Sequence, residues 1–366
     1  MKATVIGSAM IDTIAIIDSD RIEKMSMANA DSTFLLLEAG RKIDARDVST
    51  HTGGGAVNVS VALARLGCDA TVIAKVGRDE RSAMITSRLA RESVNAEAIV
   101  TSDDHPTGAS VLIASHDKDA AIFTYRGANV ALTAGEISQS HLAADLVYVA
   151  PLSDNAADAY AFIVETAKSN GAFVAVNPGI RQISARGQKF RETLPMLDLL
   201  IVNRKEAEGL VPLLVTEFGD TGALDGDVDV AHLPRLLVSG LSGGGYDVSL
   251  AGFFSAITRA GAKAVAVTDS SRGSYVATLG NVWYCPSPAL SVAGTAGAGD
   301  AFGATLAWAL ASGSDVGDAS RLSACNAASV VGFVDTQTGL QTEAALAATV
   351  ARHRKELEVQ HWHISQ

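Results

Sequence analysis

The chain has 366 residues, enough for one large α/β domain with a small appendage, and its 48% hydrophobic content is ample for a buried core. A formal net charge of -11 argues against general nucleic-acid binding, although Mg2+ and backbone dipoles can still hold a phosphate locally. No apolar run reaches the roughly 20 residues of a membrane span, and Cys68, Cys285 and Cys325 lie far apart without C-x-x-C spacing, so they read as reduced, mostly buried thiols of a cytoplasmic protein.

In chain order, residues 3–6 read as an apolar strand ending in Gly7-Ser8. Asp12 and Asp18 interrupt the apolar character that follows, which excludes a signal peptide. Residues 14–17 and 32–37 are β-rich. Residues 57–66 carry apolar side chains at helical spacing and stop at Gly67, a good C-cap. A strand is expected at 70–76, a helix at 82–91, and a hairpin of 110–114 with 121–125 across 116–119. Beyond residue 145, short apolar runs at 146–149, 173–176, 199–202 and 264–267 alternate with helix-length segments. Such runs suit strands of a parallel sheet buried on both faces, and a doubly wound α/β fold follows. Residues 216–229 and 239–246 read as surface loops. His353, His361 and His363 are assigned to a polar C-terminal tail, and neither they nor His51 show a metal-ligand pattern.

Two glycine-rich stretches carry the chemistry. In Gly294-Thr295-Ala296-Gly297-Ala298-Gly299-Asp300, a bare backbone opens a helix at 301–310, presenting free N–H groups at the positive end of a helix dipole. A carboxylate beside such an anion site repels a phosphate; its best use is as a base for a hydroxyl that attacks the phosphate. In Gly53-Gly54-Gly55-Ala56-Val57-Asn58, glycines again lead into a helix, so a ligand can approach the backbone closely, and Asn58 can bond a hydroxyl from the first turn. Asp12, after the first strand, can accept two hydrogen bonds from a vicinal diol, as sugar recognition requires. A Walker-type phosphate loop is absent. The spacing Gly297-x-Gly299-x-x-x-Gly303 comes too late in the chain for a dinucleotide fingerprint, which sits near the start of a βαβ unit.

Taken together and in this order, these segments resemble the ribokinase, or PfkB-type, carbohydrate kinase family over nearly the whole chain. Gly7 to Asp12 is similar to the family's Gly-x-x-x-x-Asp, and Gly53 to Asn58 to its Gly-Gly-x-x-x-Asn sugar-binding turn. Tyr125-Arg126-Gly127-Ala128-Asn129 resembles the segment returning from the lid, Asn203-Arg204-Lys205-Glu206 the Asn-x-x-Glu motif, and 295–300 the C-terminal signature. The resemblance implies a mostly parallel α/β domain (1–12, 52–106, 130–366) with a small β lid (13–51, 107–129). It also implies an ATP-dependent kinase acting on a hydroxyl of a small sugar. Asp300 is the implied base, with Gly297, Ala298 and Gly299 stabilising the migrating phosphoryl group. Asp12, Gly53, Gly54, Asn58 and Arg126 would bind the sugar. Asn203, Thr268, Gly273, Thr295 and Asn326 would bind the nucleotide, and Asn203 and Glu206 would hold Mg2+ through water.

Two departures stand out. Gly294 replaces an Asp that in relatives helps hold a monovalent cation, so the resemblance does not carry a K+ site over to this chain. Asp269 and Ser270 interrupt the usual Val-Thr-Leu-Gly-x-x-Gly turn. An insertion is expected around 212–250, as a surface excursion or an oligomer contact. The lid strands could pair two subunits into a homodimer, with neither membrane nor nucleic acid as partner. A nucleoside kinase of the same fold is the alternative, favoured by an aromatic stacking partner such as Phe34 or Phe123; a non-catalytic sugar- or nucleotide-binding protein is the other.

Overall fold

The computed structural model describes residues 1–18, 23–26, 33–36, 40, 42–115, 120–219, 221–226, 229–289 and 291–365. The apolar runs of the sequence form the centre of a ten-stranded sheet. Asp69–Ile73, Lys2–Ile6, Leu146–Val149, Phe173–Val176, Leu199–Asn203 and Ala264–Thr268 lie side by side, all parallel. Successive residues of these strands alternate between two cores. Val147, Val149, Val174 and Val265 enter one, while Leu146, Tyr148, Ala175 and Ala266 enter the other. Both faces are therefore covered, which is why the runs are apolar at every position rather than at every second one. Helices Tyr160–Ser169, Gly179–Thr193, Arg204–Phe218 and Leu250–Arg259 cover the first face. Helices Gly55–Arg65, Glu80–Arg91, Ala298–Ala311 and Val316–Val330 cover the second. The doubly wound α/β expectation is what the chain adopts.

Three expectations change. The polar tail is instead the strand Gln360–Ser365, which pairs with Asn281–Cys285 and carries His361 and His363 on the sheet. The ring of His361 stacks on Trp283, with centroids 4.6 Å apart, so a polar stretch still gains a packed partner. The expected loop at 216–229 begins inside a helix, Arg204–Phe218, and holds the short strand Ala223–Leu224, which pairs with Gln360–Ser365. The expected loop at 239–246 is a hairpin of Leu241–Gly243 with Tyr246–Val248. Leu236, Leu241 and Val248 of this region are buried in the first core, so the inserted segment is packed in and is not a mere excursion.

A second sheet of four strands stands apart from the large one, in the order Ala120–Tyr125, Gly108–Ser115, Met10–Ile17 and Asp47–Gly53. The expected hairpin is its antiparallel pair Gly108–Ser115 with Ala120–Tyr125; its turn, 116–119, lies outside the described residues. Glu23–Ser26 and Thr33–Leu36 form a separate two-stranded ribbon. The side chain of Phe34 lies outside the described set. Phe123 stands opposite Val111, which stands opposite Thr13, whereas Asp12, Ser110 and Thr124 share the other face. Phe123 thus points away from Asp12 and is not placed to stack on a ligand held there.

Candidate active site

The site sits where the winding of the large sheet reverses. Lys2–Ile6 has Asp69–Ile73 on one side and Leu146–Val149 on the other, so the chain departs from it in both directions and leaves a crevice at the carboxyl ends of the strands. Glycines let the crevice close up. A Cβ on Gly55 would stand 2.9 Å from Ala150 Cβ, and Gly54, at φ 93°, enters the helix Gly55–Arg65 from a conformation that suits glycine. Gly55 N–H donates to Ser8 Oγ (3.1 Å) and Ala56 N–H to Ser8 O (3.0 Å). Asn129 clamps the next residue, accepting from Ala9 N–H (2.8 Å) and donating through Nδ2 to Ala9 O and Arg126 O (2.9 Å each). Ser8, Ala9 and Asn129 therefore fix the root of the strand Met10–Ile17 that carries Asp12.

Asp12 accepts a hydrogen bond from Ser110 Oγ on the neighbouring strand. Burial pushes its carboxyl above the ordinary range, with Ser110 and the His51 charge pulling the other way. The nearest atom to a Cβ added on Gly53 would be Asp12 Oδ2, so any side chain there would collide with the carboxylate.

Asp300 lies in the first turn of the helix Ala298–Ala311, which starts from Gly297 in the left-handed region (φ 81°). A Cβ on Gly297 would lie 2.7 Å from Thr336 Cβ, so conformation and space both require glycine. Asn58 Nδ2 donates to Asp300 Oδ2 at 2.8 Å. The orientation of that amide is set from behind: Thr336 Oγ1 (2.8 Å) and Gln337 Nε2 (3.1 Å) both donate to Asn58 Oδ1, which turns the NH2 toward Asp300. Gln337 also donates to Thr52 O (2.9 Å) and accepts from Arg88 Nε (3.0 Å). Burial raises the Asp300 carboxyl from an ordinary 3.8 to about 6; Asn58 opposes this, and the negative charges of Asp12 and Glu206 add to it. Asp12, Asn58 and Asp300 thus converge on one crevice, with Gly53 against Asp12 and Gly55 beside Asp300.

Next to Asp300 opens a cleft of about 570 Å³. Asn203, Thr268, Gly273, Thr295, Ala298 and Gly299 line it, as do Ser270, Ser274, Ser287 and Phe302, which the sequence reading did not select. Ser274 Oγ is buried there without a hydrogen-bond partner, an atom that a ligand could satisfy. Gly273 (φ 95°) has no room for a Cβ, which would meet Cys285 O at 2.5 Å. The unusual Asp269 is buried and turned into a two-pronged pair with Arg272, both bonds 2.7 Å, which closes the 270–272 turn. Asn326 is the exception among the expected nucleotide residues. It is fully buried, donates to Thr305 Oγ1 (2.8 Å) and accepts from Gln341 N–H (3.0 Å), so it joins two helices and the following loop, while its neighbours Ala324, Ala327 and Ala328 line the cleft.

Asn203 and Glu206 make a reciprocal cap at the start of Arg204–Phe218. Asn203 N–H donates to Glu206 Oε2 (2.9 Å), and Glu206 N–H donates to Asn203 Oδ1 (3.0 Å). Glu206 is buried, its carboxyl pushed upward by that burial, and its Oε1 accepts no hydrogen bond among the described residues. Among the described residues no group of three or more His, Cys, Asp or Glu could form a protein-only metal cage. A buried carboxylate with one open oxygen instead suits an ion held chiefly by phosphate and water. Gly294 supplies no side-chain oxygen beside Phe333 O and Val334 O, 3.2 and 3.5 Å from where its Cβ would be.

The chain belongs to the pfkB family of carbohydrate kinases, whose family model matches residues 2–218 and 251–343. The gap between the two matched parts falls on the inserted segment. The chain is 28% identical over 261 residues to the bifunctional ribokinase/ribose-5-phosphate isomerase A of Fructilactobacillus sanfranciscensis, covering 70% of this chain and 42% of that one. It is 30% identical over 189 residues to the ATP-dependent ribose-1-phosphate kinase of Halopiger xanaduensis, covering 51% and 61%. Among solved structures it is similar to Arabidopsis thaliana ribokinase complexed with ribose and ATP, with a TM-score of 0.70 at 19% identity over 95% of this chain and 98% of that one.

Proposed function

We propose that the protein is an ATP-dependent sugar kinase. The observation that carries the reading is the Asp300 carboxylate, seated in the first turn of a glycine-started helix whose Ala298 and Gly299 line the 570 Å³ cleft, bonded by Asn58, and within the field of the Asp12 charge. ATP would lie in that cleft, along Thr268, Gly273 and Thr295. The N–H groups of Ala298, Gly299 and Asp300 point out of the helix start and would hold the transferred phosphoryl oxygens. Asp12 and Asn58 would hold adjacent hydroxyls and aim a primary hydroxyl at Asp300, which takes its proton as the oxygen attacks in line. Mg2+, when bound with ATP, offsets phosphate charge, and Asn203 and Glu206 would hold its water shell. A monovalent ion is not part of the reading.

The four-stranded sheet would act as a lid over the acceptor, excluding water that would compete for the phosphate. Val48, Val111, Phe123 and Tyr125, on its face away from Asp12, are 60%, 44%, 60% and 54% exposed and would pair two copies into a homodimer. Three buried free thiols fit a reducing, cytoplasmic setting.

The reading is tested by Asp12→Ala with a panel of sugars and nucleosides. KM for the acceptor should rise at least tenfold, about 1.4 kcal/mol, while KM for ATP moves little. Equal weakening of both substrates would make Asp12 structural, and ATP consumption with no acceptor in the panel would defeat the kinase reading.

A further inference from the structure

Arg126 and Arg181 are two cations that the fold brings to the acceptor side of the site and leaves without a partner among the described residues. Arg126 directly follows the strand Ala120–Tyr125, whose Thr124 shares the sheet face of Ser110 and Asp12, and it opens the turn Gly127–Ala131. Its carbonyl accepts from Asn129 Nδ2, the amide that also clamps Ala9, so the backbone at Arg126 is fixed to the root of the strand bearing Asp12.

Arg181 reaches the same edge from the large sheet. It lies in the first turn of Gly179–Thr193, directly after the strand Phe173–Val176. A Cβ on Gly179 would be 2.9 Å from Pro151 Cβ, and one on Gly55 would be 3.5 Å from Pro151 Cδ and 3.8 Å from Asp300 Oδ1. Pro151 thus bridges the start of the Arg181 helix to the neighbourhood of Asp300.

Arg126 is desolvated and feels the charge of Arg181, and both effects hold its guanidinium below the ordinary range. Asp154 is the carboxylate that opposes them, and its field is shared with Arg186, which is already bonded to Asp158 at 2.7 Å. Neither Arg126 nor Arg181 makes a hydrogen bond or ion pair among the described residues. Two cations against one carboxylate leave a positive spot in a chain whose formal net charge is -11.

We propose that the acceptor carries an oxyanion, a phosphate or a carboxylate, at the end remote from the attacked hydroxyl, and that Arg126 and Arg181 grip it. This deepens the sugar-kinase reading and rests on it. Two planar guanidinium forks suit such a group, and its charge relieves their mutual repulsion.

The test uses the full chain with ATP and Mg2+ against neutral sugars, their phosphate esters and their sugar acids. An anionic acceptor should be the best substrate, the ester and acid arms telling the two sources apart. Arg181→Ala should cost the anionic acceptor at least about tenfold more in KM than its neutral counterpart, with Arg181→Lys between the two. A neutral sugar as best substrate, or equal losses on neutral and anionic acceptors, would overturn the proposal while leaving the kinase reading intact. ATP consumption with no acceptor of any class would remove both.

Discussion

Asp300 titrates far from an ordinary aspartate because burial penalises its charge, which places it at about 6. Only the deprotonated form can take a proton, so kcat/KM should fall below pH 6 along a limb of unit slope. A limb centred near 4 would mean that Asp300 is not the base. Asp300→Asn should lower kcat by at least about 10² to 10⁴, and the same variant reports on stability. A carboxyl raised from 3.8 to about 6 destabilises the fold whenever it is charged. That penalty is full above pH 6, shrinks as pH falls through 6, and is gone below 3.8. At pH 8 the Asn variant should therefore be more stable, by on the order of 1–2 kcal/mol after allowing for the part of the side chain that reaches water. The advantage should fade toward pH 4. Melting curves across this range check it, and a destabilised Asn variant at pH 8 would contradict the burial argument.

At the scale of elements, the candidate site gathers at helix starts, and these are the legible parts of the sequence. A glycine run entering a helix announces itself through composition alone, so 53–58 and 297–300 were found. What holds them was not legible. Thr336 and Gln337, which orient Asn58, lie 278 and 279 residues from it on a stretch with no periodicity and no glycine signature. A buried amide joining helices, as Asn326 does here, and a ligand-binding amide are the same residue type; only its neighbours decide. The strand bearing His361 and His363 is not legible because a polar strand outside the apolar centre of the sheet lacks the run that betrays a central one. The Asn203–Glu206 start has two separable roles. Glu206→Gln preserves the reciprocal cap, since glutamine accepts the same N–H, but removes the charge. The Mg2+ concentration for half activity should rise several-fold while the melting temperature does not fall. An unchanged Mg2+ titration would leave only the cap.

For the whole molecule, the sheet pattern was readable because strands buried on both faces must be apolar throughout, whereas the inserted segment was not. Leu236 is fully buried while Val238, two residues on in the same apolar run, is 55% exposed, so which of these side chains is buried depends on a core built by distant elements. The exposed apolar face of the smaller sheet carries the prediction at this scale. Light scattering of the purified protein at micromolar concentration should give twice the chain mass, and Phe123→Arg should halve it. A monomeric parent protein would end the dimer proposal.

The helix Ala298–Ala311 begins with the N–H groups assigned to the phosphoryl oxygens and bears Asp300 two residues further on. In the proposed reaction, donor cradle and proton acceptor therefore ride on one rigid body. Any tilt or slide of that helix moves both together, so their relative alignment is immune to it. The tolerance that matters is then between this body and the sugar, and one amide, Asn58, spans it.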